Sequence, residues 1–295
     1  MKSTLDTPRT VSRTASAALE EVADRRRRTI RLPEDREWLV ELTKQPAKLL
    51  SQMAEKQLLY RVERGRYVLA PRGSFAVEQA APAELLADLV IAHRSPYYVG
   101  FLSALISHRL TDLHSSDIYV AIPAEGKIRV SQQRMPGGVL HFTQFKGSRW
   151  PLLGSSEIER VRAFKDSKEF WWRSSVERTL IDALNRPELS GGMETVVSAW
   201  ARARIERRAN WLELARIAKR LGSSTQRRVA FLLKLLDVRG SGDWFGFSGR
   251  SSNVILDRSR SFQSTNRCPR DPETGILINV PQKTLEGWIG GAELG

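Results

Sequence analysis

A chain of 295 residues with 41% apolar side chains is long enough for two domains with hydrophobic cores of ordinary size. Its 47 Lys and Arg against 33 Asp and Glu give a formal charge of +14, which favours an acidic partner, nucleic acid before an anionic membrane, although a basic surface that serves only solubility fits the same balance. The single Cys268 excludes an intrachain disulfide or a cysteine-rich zinc site and fits a cytoplasmic protein, and with no secretion-signal run in residues 1–30 and no uncharged 18-residue span both secretion and membrane spanning are disfavoured, so no membrane stands among the expected partners.

Positive charge is densest at the amino end, where the residues up to Ser74 hold 16 Lys and Arg against 10 Asp and Glu. Residues 15–28, ASAALEEVADRRRR, have helix-forming composition. The arginines 25–28 fit either a helix C-terminus that welcomes positive charge or a set of phosphate contacts. Pro33 suits the first turn of a second helix over 33–42, with Trp38, Leu39 and Leu42 on its inward face. Pro46 opens a third, PAKLLSQMAEKQL, with Leu49, Leu50, Met53 and Ala54 inward. The outward face then carries Gln45, Lys48, Ser51, Gln52 and Glu55, just after Lys44. Amides and hydroxyls can read base edges while Lys neutralises phosphate, and a plain solvated helix has such a face as well.

The next stretch, LLYRVERGRYVLAP from Leu58 to Pro71, alternates Tyr60 and Val62, then Tyr67 and Leu69, around Gly65, as a tight hairpin does. Three helices followed by a basic hairpin is the order of a winged helix-turn-helix. There the third helix lies in the major groove and the wing follows the backbone or enters a minor groove whose negative potential attracts arginine. The DNA-binding residues expected are Lys44, Gln45, Lys48, Ser51 and Gln52 from the helix and Arg61, Arg64 and Arg66 from the wing. Alanine at 64 and 66 is expected to cost about 1–3 kcal/mol of promoter affinity in sum and to leave melting unchanged. An ordinary surface hairpin is the alternative.

PRGSFAVEQAAPAE from Pro71 is linker-like, which places a boundary near Phe75 and divides the chain into domains 1–75 and 76–295. The second opens with two apolar helices, AELLADLVIAH and YYVGFLSALISHRL. Strands are expected in DIYVAIP, IRVSQ and VLHFTQF, with MPGG a turn and a further strand in Glu157–Lys165. Cap spacings at Ser174 with Glu177, Asn210 with Glu213 and Ser223 with Gln226, and Gly222 as a helix stop, give four helices at about 175–185, 193–205, 211–221 and 224–237. After Val238 the tail shows only short strand-like pieces such as NVILD and GILINV. The fold class expected is α+β: an amino-terminal winged helix-turn-helix domain followed by a larger mixed α/β domain with a four-helix segment.

No catalytic apparatus is visible. His93, His108, His114 and His141 lack metal-ligand spacing, and GSGD at 240–243 has no downstream carboxylate pair to hold magnesium, so it reads as a loop. G-x-S-x-G, Walker and G-x-G-x-x-G patterns are absent. The expectation is a protein that is not an enzyme and uses no cofactor or metal, against the rival of an RNA- or nucleotide-acting enzyme with a winged-helix targeting domain. EFWWR at 169–173 reads as strand packing before base stacking. Arg202, Arg204, Arg207, Arg208, Arg216, Lys219 and Arg220 give a basic surface open to DNA, to an acidic protein or to solvent alone.

YYVGFLSALISHRLTD at 97–112, DIYVAIP at 117–123 and SSVERTLIDALNRPELSGGMETVVSAW at 174–200 resemble the AbiEi family of type IV toxin–antitoxin antitoxins, its mycobacterial members in particular. The resemblance covers about 15–240, and RTLIDALNRPELSGG is its most specific part. It implies a winged amino-terminal domain that binds repeats, inverted ones in the usual arrangement, in its own promoter and represses transcription. A homodimer on DNA would suit such repeats. It also implies a carboxy-terminal domain that counteracts a nucleotidyltransferase-like toxin, directly or functionally. The recognition helix then falls on Gln45–Gln52 and the wing on Arg61–Arg66, and no toxin-contact residue transfers. The extension before Arg25 and the tail after about Gly240 depart from the family pattern.

Overall fold

Ser12 caps the first helix by accepting the Ala15 N–H at 3.2 Å, and Ala15, Ala18 and Val22 of α1 (Arg13–Asp24) turn inward at helical spacing. Pro33 and Pro46 stand in the first turns of α2 (Leu32–Leu42) and α3 (Pro46–Glu55), where a missing N–H breaks no helical bond. The arginine run is not helical as expected. Arg25 is the cap of α1, Arg26 takes a φ of 53°, and the chain passes into a strand β1 (Thr29–Arg31) that sequence composition does not mark. Residues 11–70, 81–151, 155–247, 253–259 and 268–294 are described by this computed structural model.

The expected hairpin is β2 (Leu59–Glu63) and β3 (Arg66–Leu69), turned at Arg64 and Gly65, where Gly65 holds a φ of 74° at no steric cost. Both β1 and β2 pair antiparallel with β3, so the sheet order β1-β3-β2 makes β3 the centre. Tyr67 faces Ile30 on one side and Arg61 on the other. Trp38, Leu39, Leu50, Met53 and Leu59 close the core beneath.

By packing, the chain divides into two units. The first holds the described parts of Met1–Ser95 with Gln133–Val139 and Arg160–Trp171, and the second holds Pro96–Gln132, Leu140–Glu159 and the described parts of Trp172–Gly295. The boundary expected near Phe75 lies outside the described residues. In the first unit, α4 (Ala83–Ile91) buries Leu85–Ile91 and its Asp88 takes the Arg31 guanidinium at 2.7 Å.

The larger sheet runs β6-β7-β5-β4-β9-β8, built from β4 (Tyr98–Val99), β5 (Ile118–Pro123), β6 (Gln132–Met135), β7 (Gly138–Phe145), β8 (Ile158–Arg162) and β9 (Phe170–Ser174). Six residue pairs, from Ile118 with Leu140 to Pro123 with Phe145, join β5 and β7 in parallel. Two expectations shift here. Tyr98–Val99 is a strand rather than the start of a helix, leaving α5 (Phe101–Ser107), and IRVSQ contributes only its last residue to β6.

Four helices follow: α6 (Val176–Asn185), α7 (Met193–Ile205), α8 (Trp211–Leu221) and α9 (Ser223–Leu235). Asn210 caps α8 as expected, but the other caps move. Ser175, not Ser174, accepts the Arg178 N–H, because the Ser174 hydroxyl lies 2.6 Å from that of Thr179 in the core. At α9 the cap is Gly222, with no side-chain bond. The tail also holds a helix that three glycines hide from composition, α10 (Gln282–Leu294), whose Leu285, Trp288 and Ile289 join the core around Trp200. Among the described residues the fold is α+β, with ten α-helices and two sheets.

Candidate nucleic-acid interface

Helix α3 separates its faces cleanly. Leu49, Leu50 and Met53 are buried, while Lys44, Gln45, Lys48, Ser51 and Gln52 are all exposed. Gln45 stands at the N-cap position with no side-chain cap bond, and the Ser51 hydroxyl reaches Glu55 at 3.5 Å. Three residues separate the end of α3 at Glu55 from the start of the hairpin at Leu59, and α3 packs on β2. Arg61 on edge strand β2 and Arg64 in the turn are exposed.

Arg66 departs from the expectation. It is 4% exposed and its guanidinium donates to Glu34 of α2 at 3.1 Å. The cause is the strand order: β1, unmarked in the sequence, makes β3 central, and a central strand's side chain is flanked on both sides. Alanine at 66 therefore removes a packed ion pair, so the expected neutrality of melting does not hold for that position. The Leu32 N–H donates to Gly65 O at 2.8 Å and ties the turn to the start of α2.

The arginine run is also largely engaged. Arg27 makes a bidentate pair with the buried Asp35 at 2.6 and 2.9 Å. Burial alone would raise the Asp35 carboxyl, but hydrogen bonds from Arg27, the Arg31 N–H and the Trp38 indole outweigh it and lower its pKa. Arg25 pairs with Glu21 across one helical turn, and the Arg28 guanidinium lies 4.1 Å from the centre of the Phe164 ring. The Glu169 carboxylate accepts the N–H groups of Arg28 and Thr29 at 2.7 and 3.2 Å, together with the Thr29 hydroxyl. Glu169 was not legible as a partner, because 140 residues separate it from β1 in sequence. In the neighbouring aromatic run Trp171 is buried, and Arg160 covers the Phe170 ring at 3.7 Å.

In the second unit the basic surface expected on the helices is mostly spent on the protein itself. Arg202 forks onto Asp112 at 2.9 and 2.7 Å, Arg216 pairs with Glu213, and Arg220 grips Glu157 at 2.7 and 2.6 Å. Arg208 donates to the His108 carbonyl at 3.0 Å. Beneath them lies a buried cluster that no spacing foretold. Arg178, fully buried, donates to Asp182, to Glu157 and to the Arg149 carbonyl, and the Tyr98 hydroxyl donates to Asp182 at 2.8 Å. Burial would lower the Arg178 pKa, yet Asp182, Tyr98 and Glu157 together raise it, so the guanidinium stays charged.

The histidines serve different local ends. His108 is buried with Nε2 2.8 Å from the Ser174 carbonyl, His141 pairs with Asp117 at 3.0 Å, and His114 is exposed. Among the described residues no group of three or more His, Cys, Asp or Glu is arranged to hold a metal ion. No helix among them is long and apolar enough to cross a membrane.

No family model and no curated protein matches the chain. Its fold is similar to that of the RV2827C protein from Mycobacterium tuberculosis, a crystal structure. The TM-score is 0.65 at 13% identity, over 98% of this chain and 99% of that one. At that identity the likeness speaks for the fold alone.

Proposed function

We propose that residues 11–70 form a winged helix-turn-helix that binds duplex DNA, and that the chain represses its own promoter. One observation carries the reading. The outward face of α3 shows Lys48, Ser51 and Gln52, and the hairpin that follows shows Arg61 and Arg64, in the order α1, β1, α2, α3, β2, β3. On this reading α3 lies in the major groove, where Gln45, Ser51 and Gln52 meet base edges and Lys44 and Lys48 meet phosphates. Arg61 and Arg64 follow the backbone or enter the minor groove. Arg66 braces the wing from within. Inverted repeats in the promoter would be met by a pair of protomers, since two-fold DNA matches two-fold protein.

The second half of the proposal rests on the resemblance of residues 97–112, 117–123 and 174–200 to the AbiEi antitoxins. The chain then counteracts a nucleotidyltransferase-like toxin, by direct binding or through its function. Co-expression with the product of the neighbouring reading frame tests this: rescue of growth supports it, and unrelieved toxicity refutes it.

The DNA reading is tested by fluorescence anisotropy of a labelled promoter duplex across a salt series. Arg61→Ala with Arg64→Ala should lose about 1–3 kcal/mol of affinity, with a shallower salt slope and the wild-type melting temperature. Binding that ignores both salt and the double substitution would overturn it.

A further inference from the structure

We propose that the second unit holds a second anion site, a cavity of about 800 Å³ that takes the phosphate chain of a small ligand of the nucleoside triphosphate class. Five arginines line it, and only two carboxylates, Asp182 and Glu188, stand among them. Those two are already committed, Asp182 to Arg178 at 2.9 Å and Glu188 to Arg186 at 2.5 Å. Arg149, Arg228 and Arg258 make no ion pair with any described residue.

Arg228 is the decisive one. It is 6% exposed, and its hydrogen bonds go to neutral oxygens, the Ile255 carbonyl at 2.9 Å and Asn185 Oδ1 at 3.5 Å. A buried guanidinium without a counter-charge is costly, and the cost is removed when an anion arrives. Burial, with the positive charge of Arg258 next, brings its pKa down to about 10, the reverse of what a carboxylate partner does. Segments 248–252 and 260–267, which flank Asn253–Ser259 in sequence, contain no Asp or Glu to supply that charge.

The first turn of α9 lines the same cavity. Gly222 caps it at a φ of 101° with no side chain to accept the free N–H groups, and the exposed Ser223 and Ser224 add hydroxyls. A 13-residue helix brings partial positive charge to that end. Asn185 Oδ1 also accepts from Thr225 Oγ1 at 3.2 Å, so one amide anchors both the helix start and Arg228. Three guanidiniums with no ion pair among the described residues, together with a helix end, exceed the needs of one phosphate and suit a chain of them. Phe145, Val254 and Ile255 add an apolar wall, and the volume lies within the roughly 300–1,000 Å³ of small-molecule sites.

The test uses the full chain at low ionic strength, titrated calorimetrically with sodium tripolyphosphate and separately with ATP, GTP, CTP and UTP. The wild type should bind, and Arg258→Gln, an exposed change that leaves folding intact, should weaken binding by about 10-fold or more. Arg228→Gln should abolish it, while Arg61→Ala with Arg64→Ala in the first unit should bind as the wild type does. Tighter binding of nucleotides than of tripolyphosphate assigns the site to nucleotides, and equal binding assigns it to the phosphate chain alone; both uphold the site. No binding at millimolar ligand, or affinity that follows Arg61 and Arg64 rather than Arg258, overturns it without touching the DNA proposal.

Discussion

A single arginine shows how position in a sheet overrides residue type. Arg64 and Arg66 look equivalent in the sequence, yet one is in the exposed turn and the other lies under it against Glu34. Arg66→Ala is therefore expected to lower stability by about 1–3 kcal/mol, and Arg64→Ala to leave the urea midpoint unchanged. Arg178 is a sterner case. Replacing it with Met leaves Asp182 without its guanidinium and Glu157 with Arg220 alone, which should cost about 3–5 kcal/mol in the same measurement.

His108 makes stability depend on pH. Burial, with the Arg173 charge next, pushes its pKa from the ordinary 6.5 down to about 4. Between those values the unfolded chain carries a proton that the folded chain refuses. Its contribution is complete above 6.5 and is lost as pH falls toward 4, by at most about 3 kcal/mol. Unfolding midpoints of wild type and His108→Gln between those limits should converge as pH falls, and parallel curves would disprove this.

Among the elements, α3 and the β2–β3 hairpin carry the proposed DNA contact, and their contributions separate by kind. Gln52→Ala should relax base preference, whereas Lys48→Ala should weaken all duplexes alike and reduce the salt slope by about one; a Gln52 variant equally weak on every sequence would place that side chain on the backbone. These two elements were legible because proline, glycine and apolar spacing act within a few residues. Helix α10 was not, since Gly287, Gly290 and Gly291 speak against a helix and only the core around Trp200 sustains it. A Cβ at Gly290 or Gly291 meets nothing within 4 Å. Alanine at either should therefore stabilise by roughly 0.5–1 kcal/mol in chemical denaturation.

For the whole molecule, the alternation of helical and strand-like stretches already specifies an α+β protein, and the surplus of positive charge raises the expectation of an anionic partner. Both depend only on composition and on periodicities that local backbone geometry imposes. The helix starts at Pro33, Pro46 and Asn210 and the turn at Gly65 belong to the same local order. The tertiary structure alone decided which cations are free. Arg27, Arg66, Arg178 and Arg220 are paired with carboxylates, several of them far away in the chain, while Arg61, Arg64 and Lys48 stay exposed and Arg228 is buried among neutral acceptors. Charge is a property of the residue, but its availability depends on which groups the fold brings within hydrogen-bonding distance, and no local pattern encodes those long-range neighbours.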